Sequence, residues 1–198
     1  MPPMADPINS SIAVTAPDIA LGSALCTECG MCCTGALHDF AVLDPDEIDY
    51  ARSIGMRLRT EGRPGFDLPC PKLSGSCCSI YVDRPKACIQ FKCALLGRLD
   101  DGLTDFQSAT AIAVEARHLL DNVHAHLPDG MSVPMARAMN QAPPASNGDP
   151  IGRSSEMRLR LAIAALSLFL DRHFRKSSEG TLLSLEAIAD VRPDTEMK

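Results

Sequence analysis

Four cysteines fall within eight positions of the stretch CTECGMCC: Cys26, Cys29, Cys32 and Cys33. Five more follow, at Cys70, Cys77, Cys78, Cys88 and Cys93. Thiols at this density can ligate a metal, carry electrons or knot the chain with disulfides. The C-x2-C-x2-C run has the rhythm of iron–sulfur loops, in which tight turns bring several sulfurs onto one cluster. Its C-x2-C pairs are also knuckles of the kind zinc accepts. Adjacent Cys32 and Cys33 do not easily face one small tetrahedral ion. They are expected to serve different metals or different edges of one site.

The rest of the chain decides between the three chemistries. The stretch before Cys26 lacks the basic start and unbroken apolar run of an export signal; Pro7 and Pro17 interrupt it and Asp6 and Asp18 charge it. The most apolar later stretch, LAIAALSLFL at 161–170, is half the ~20 residues needed to span a bilayer, and Arg158, Arg160, Asp171 and Arg172 flank it. The protein is therefore expected in the cytoplasm, where thiols stay reduced, with no membrane partner. The total of nine cysteines is odd, which also counts against a disulfide knot. Metal ligation is the reading this leaves.

Composition excludes other classes. Net charge is −6 with no long run of like charge, so there is no basic face for nucleic acid. Trp is absent and Tyr50 and Tyr81 are the only tyrosines, which argues against a base-stacking platform.

The elements that must position the thiols divide the chain. Residues 1–23 read as a flexible N-terminal segment, 24–97 as a cysteine module, and 104–198 as a helical region with a linker near 141–150. The expected fold class is mainly α, with an irregular, metal-organised, Cys-rich N-terminal module. Within the module, ALHDFAVL (36–43) reads as a short strand. Asp44, Pro45 and Glu47 mark the start of a helix running to about residue 54. Gly and Pro dominate 60–78, and Pro85 is placed to open a short helix carrying Cys88. From 104, the spacing puts Phe106, Ala109, Ile112, Ala113, Ala116, Leu119, Leu120, Val123 and Leu127 on one helical face. A second long helix is expected from Ser154 or Ser155 to about Lys176, and a short one at LSLEAIADV near the end.

Gathered without metal, eight thiolates would repel one another; a bound cation lowers each thiol's pKa. The module is short of large apolar residues, so metal binding is expected to supply much of its folding free energy. Eight sulfurs fit two four-thiolate sites, or one four-iron cluster with a separate zinc or redox pair. The loop rhythm and the Gly and Pro content favour iron–sulfur over zinc.

CTECGMCC followed by PCPKLSGSCCSIYVDRPKACIQFKC resembles the CxxCxxCC (YkgJ-like) cysteine-cluster family of zinc- or iron-chelating domains. The family pattern is approximately C-x2-C-G-x-C-C, then P-C-x-x-L, then C-x-I-Y-x-x-R-P-x-x-C-x-x-F-x-C. It is met at Cys26, Cys29, Gly30, Cys32, Cys33, Pro69, Cys70, Leu73, Cys78, Ile80, Tyr81, Arg84, Pro85, Cys88, Phe91 and Cys93. The resemblance implies chelation by the eight cysteines Cys26, Cys29, Cys32, Cys33, Cys70, Cys78, Cys88 and Cys93. Cys77 is extra, and Ile89 stands where the family often has Arg. The expected function is an iron–sulfur or zinc protein working in electron transfer or redox chemistry with a protein or redox partner. An enzyme, either an oxidoreductase or a protein methyltransferase, is the alternative, since a flagellin lysine methylase is similar over this module.

Weaker candidates are weighed against ordinary packing. His38 is a possible ligand or a hydrogen-bond donor to sulfur, with a solvent-facing strand position as its default. His118, His124 and His126 lack the H-E-x-x-H pattern of a zinc helix and are expected at the surface. Arg84 either balances cluster charge or pairs with a carboxylate, and Tyr81 is expected to pack. Met131, Met135 and Met139 are expected to pack a helix rather than bind a soft metal. No C-x3-C-x2-C, dinucleotide-binding or phosphate-loop motif is present.

Overall fold

The computed structural model describes residues 16–142 and 150–176. In chain order its elements are α1 (Ala16–Cys29), β1 (Phe40–Val42), α2 (Ile48–Ser53), β2 (Gly65–Asp67), β3 (Leu73–Ser74), β4 (Cys77–Cys78), α3 (Lys86–Gln90), α4 (Ala94–Asp100), α5 (Phe106–His124), α6 (Val133–Gln141) and α7 (Pro150–His173). The fold is mostly helical with few short strands, as expected.

The chain is helical from Ala16, inside the segment expected to be a flexible lead-in. Pro17 falls in the first turn, where a missing N–H breaks no helical hydrogen bond. The strand expected at 36–43 is shorter, at Phe40–Val42. Near Asp44, the Glu47 carboxylate accepts from the Asp44 N–H at 3.0 Å, and a single 3-10 turn (Pro45–Glu47) leads into α2. The second long helix begins at Pro150, ahead of Ser154 and Ser155. The stretch LSLEAIADV and most of the expected linker lie outside the described residues.

α5 is the central helix and packs against α1, α4 and α7; α6 packs on α7. Its inward face carries Ala109, Ala113, Ala116, Leu120 and Val123, the periodicity read from the sequence. Alanine at three of those positions lets neighbouring backbones approach closely, and all three are completely buried. α7 answers with Leu159, Ala162, Ile163, Leu166 and Leu170. Leu25, Met31, Leu37 and Leu95 join the same core, so α1 and α4 are rooted in the helical layer. A second, smaller core holds Leu43, Ala51, Met56, Phe66 and Leu68 beneath the antiparallel pair β1–β2. There Gly65 lies opposite Val42, and any Cβ at that position would sit 2.3 Å from the Ala41 carbonyl oxygen. Only glycine fits.

Candidate metal centre

Helix, turn and hairpin each place cysteines by their own periodicity. Cys26 and Cys29 are three apart on the last turns of α1 and so share a helix face. The sequence reading took this run for a loop; two of its cysteines are helical. Gly30 ends the helix in the left-handed conformation at φ 67°, donating its N–H to the Cys26 carbonyl at 3.1 Å. The turn that follows carries Cys32 and Cys33. The Cys70 N–H then donates to the Cys33 carbonyl at 2.8 Å, which ties the two cysteine segments together through backbone.

β3 and β4 form a hairpin with Leu73 opposite Cys78 and Ser74 opposite Cys77. Successive strand residues face opposite sides. Cys78 accordingly turns into the protein, while Cys77 is exposed and its Sγ lies 3.7 Å from the Thr27 carbonyl oxygen. Cys88 rides on α3. That short helix is held to the Asp44 turn by the Glu47 carboxylate, which accepts from the Lys86 N–H at 2.7 Å, and by the Lys86 ammonium, which reaches Asp44 and Asp46. Cys93 caps α4, its sulfur accepting from the Leu96 N–H at 3.4 Å.

These routes converge on one cavity of about 300 Å³. Cys26, Cys29, Cys32, Cys33, Cys70, Cys78, Cys88 and Cys93 all line it, and Cys77 does not. The remaining wall is largely apolar and includes Leu25, Met31, Phe66, Phe91 and Phe174. Among the described residues, no three His, Cys, Asp or Glu side chains already stand in metal-holding geometry. The sulfurs are gathered around a shared space rather than locked into a finished coordination shell.

Electrostatics sorts the eight into two sets. Burial pushes the Cys32 thiol well above its ordinary range, and the next largest contributions are charge on Cys93 and Cys29. Cys29, raised by burial to about 12, feels Cys93 and Cys26. Cys33, likewise raised by burial to about 12, feels Cys70, Cys78 and Cys88 first, with Cys26 a smaller influence across the divide. Cys88 is raised by burial to about 11, then by Cys70 and Cys78. One set is therefore Cys26, Cys29, Cys32 and Cys93, and the other is Cys33, Cys70, Cys78 and Cys88. Packing divides five of them the same way: Cys29, Cys32 and Cys93 lie against the helical core, Cys70 and Cys88 against the smaller one. A thiol whose anion is disfavoured by desolvation and by its neighbours gains most from a cation. Eight sulfur donors in an apolar shell suit a soft or borderline metal such as zinc or iron.

Other residues depart from expectation. His38 precedes β1 and, rather than facing solvent on a strand, lies edge-on to Phe91 at 4.7 Å in the cavity wall. Arg84 stacks over Tyr81, with its guanidinium carbon 3.8 Å from the ring centroid. His118, His124 and His126 are exposed as expected, although His126 lies beyond the end of α5. Met131 and Met139 pack on the core, whereas Met135 is exposed. Sequence reasoning missed Phe174. It follows α7, four residues after buried Leu170, and its carbonyl accepts from the Ala94 N–H at 2.8 Å beside Cys93. The helical spacing from Leu170 was the available signal.

Residues 25–112, a little under half of the chain, match the model of the CxxCxxCC family, whose description is "Putative zinc- or iron-chelating domain". That is the class of the cysteine segment. Neither a curated protein nor a solved structure matches the chain. Among the described residues, no helix is long and apolar enough to cross a membrane.

Proposed function

We propose that the protein binds metal through eight cysteines arranged as two four-sulfur sets, with iron–sulfur preferred over zinc, and that it serves redox or electron-transfer chemistry. One observation carries the reading: eight of nine cysteines line a single cavity, and the ninth, Cys77, does not. The adjacent pair falls one into each set, so the crowding at Cys32-Cys33 becomes a division of labour. Sulfur ligands of this number fit two four-thiolate centres. The cavity the sets share, about 300 Å³, has room for an inorganic cluster, whereas four sulfurs around a single ion close at about 2.3 Å. When bound, such a cluster would supply a one-electron couple. The chain's own part is to gather the sulfurs, hold them in an apolar wall and keep water scarce around them. Reduced thiols imply a reducing compartment such as the cytoplasm, and electron transfer implies a protein redox partner.

Anaerobic purification of the full chain, with visible absorption and analysis of iron, zinc and acid-labile sulfide, tests this. A broad sulfur-to-iron band that bleaches reversibly on reduction supports it. Colourless protein with stoichiometric zinc would replace the cluster by zinc, and protein that takes up neither metal would end the proposal. Cys32→Ser and Cys33→Ser are each expected to remove about half of the metal, from different sets. Complete loss from both would show one indivisible centre.

A further inference from the structure

Arg84 is the one Lys or Arg among the residues lining the sulfur cavity, and no Asp or Glu lines it. An arginine in such a wall ordinarily pairs with a carboxylate. Among the described residues Arg84 has no such pair, and its buried Nε has no hydrogen-bond partner. What fixes it is the Tyr81 ring, over which the guanidinium lies at 3.8 Å. That contact is a cation–π interaction and leaves the N–H donors uncommitted. The Arg84-Pro85 dipeptide leads directly into α3, so the guanidinium is anchored one turn before Cys88.

Arg84 lines the same cavity as all eight cysteines of the two sets, so both sulfur sets face it. A single fixed cation thus faces two groups of sulfurs that become strongly anionic when they ligate metal: four thiolates around one divalent ion leave a net charge of −2. Net charge and donors near the sulfurs are the levers by which a protein sets the stability and potential of such centres.

We propose that Arg84 is a positioning residue shared by both sulfur sets, the built-in counter-charge that holds an anionic metal–thiolate centre in this cavity. The inference rests on the metal-binding function proposed above. Arg84 does not ligate. It balances charge that the apolar wall cannot, and Tyr81 keeps it in place.

The test compares full-length wild type, Arg84→Gln and Arg84→Lys, each loaded with zinc or iron and challenged with a chromogenic chelator. Circular dichroism checks that the helices persist. Loss of a supporting residue around a metal site costs about 10- to 100-fold in affinity, so Arg84→Gln is expected to release metal about tenfold faster. Arg84→Lys keeps the charge but loses the planar stack on Tyr81, so its release should fall between those of wild type and Arg84→Gln. In iron-loaded protein the midpoint potential of Arg84→Gln should also move negative, because a positive charge is gone, and that of Arg84→Lys should not. Wild-type release from Arg84→Gln, or Arg84→Lys as leaky as Arg84→Gln, overturns the inference while leaving metal binding intact. A wild type that takes up no metal overturns both. Should Arg84→Gln lose its helical signal, Arg84→Met, whose apolar stem still covers Tyr81, takes its place in the comparison.

Discussion

Phe174→Ala tests the join between the helical layer and the cysteine cavity. The ring is 1% exposed, belongs to the helical core and also lines the cavity. A buried phenylalanine hides about 200 Å². At about 25 cal/mol per Å² that amounts to about 5 kcal/mol. A realistic unfolded chain already hides some of this area, which trims the figure to about 3–4 kcal/mol. The hole left by the ring opens into existing space of about 300 Å³, so neighbours have little to collapse onto. The hydrogen bond from the Ala94 N–H to the residue 174 carbonyl uses backbone only and survives the substitution. Urea unfolding of the full chain should therefore show a lower midpoint at unchanged slope, with a loss of about 3–4 kcal/mol. Phe174→Leu should lose no more than about half of that. A loss below about 1 kcal/mol for Phe174→Ala would mean that the ring is not wedged between the core and the sulfurs.

Three further outcomes follow from individual residues. Gly30→Ala forces a left-handed residue and brings a Cβ within 3.0 Å of the Ser76 carbonyl oxygen; it should destabilise by about 2 kcal/mol in urea melts. Cys77→Ser should keep full metal content, whereas Cys78→Ser should lose about half of it, the share its set holds; equal losses by metal analysis would contradict the hairpin register. Demetallated protein should weaken in alkali. Cys29 and Cys33 are raised by burial from 9.0 to about 12, so the folded state holds protons that the unfolded state gives up above 9.0. That stability is complete below pH 9 and lost as pH rises toward 12, and a urea midpoint constant across this window would refute it.

Much of the site could be read from residue spacing. The thiol count, the odd ninth cysteine and the crowding of Cys32 against Cys33 follow from chemistry that is local in sequence. The α5 face was readable for the same reason, since Ala109, Ala113, Ala116 and Val123 recur at the helical period. The start of α1 was not, because Pro17 and Asp18 look like breakers until one asks which turn they occupy. Nor was the role of Phe174: its contact with Ala94 joins positions 80 apart, and no local pattern encodes it. His38 was misplaced because alternation over 36–43 suggested a longer strand than Phe40–Val42.

The peptide bond between Cys32 and Cys33 crosses a boundary. On one side lies the set packed against the helices, and on the other the set beside the smaller core. Metal bound on both sides would act as a rivet through each of two bodies that hold separate apolar cores. Filling one set and not the other would leave the protein half-riveted, with the β1–β2 lobe freer than the helices. Loading could then be followed as stiffness: hydrogen exchange in Phe40–Val42 and Gly65–Asp67 should slow only when the second set fills, whereas α5 responds to the first.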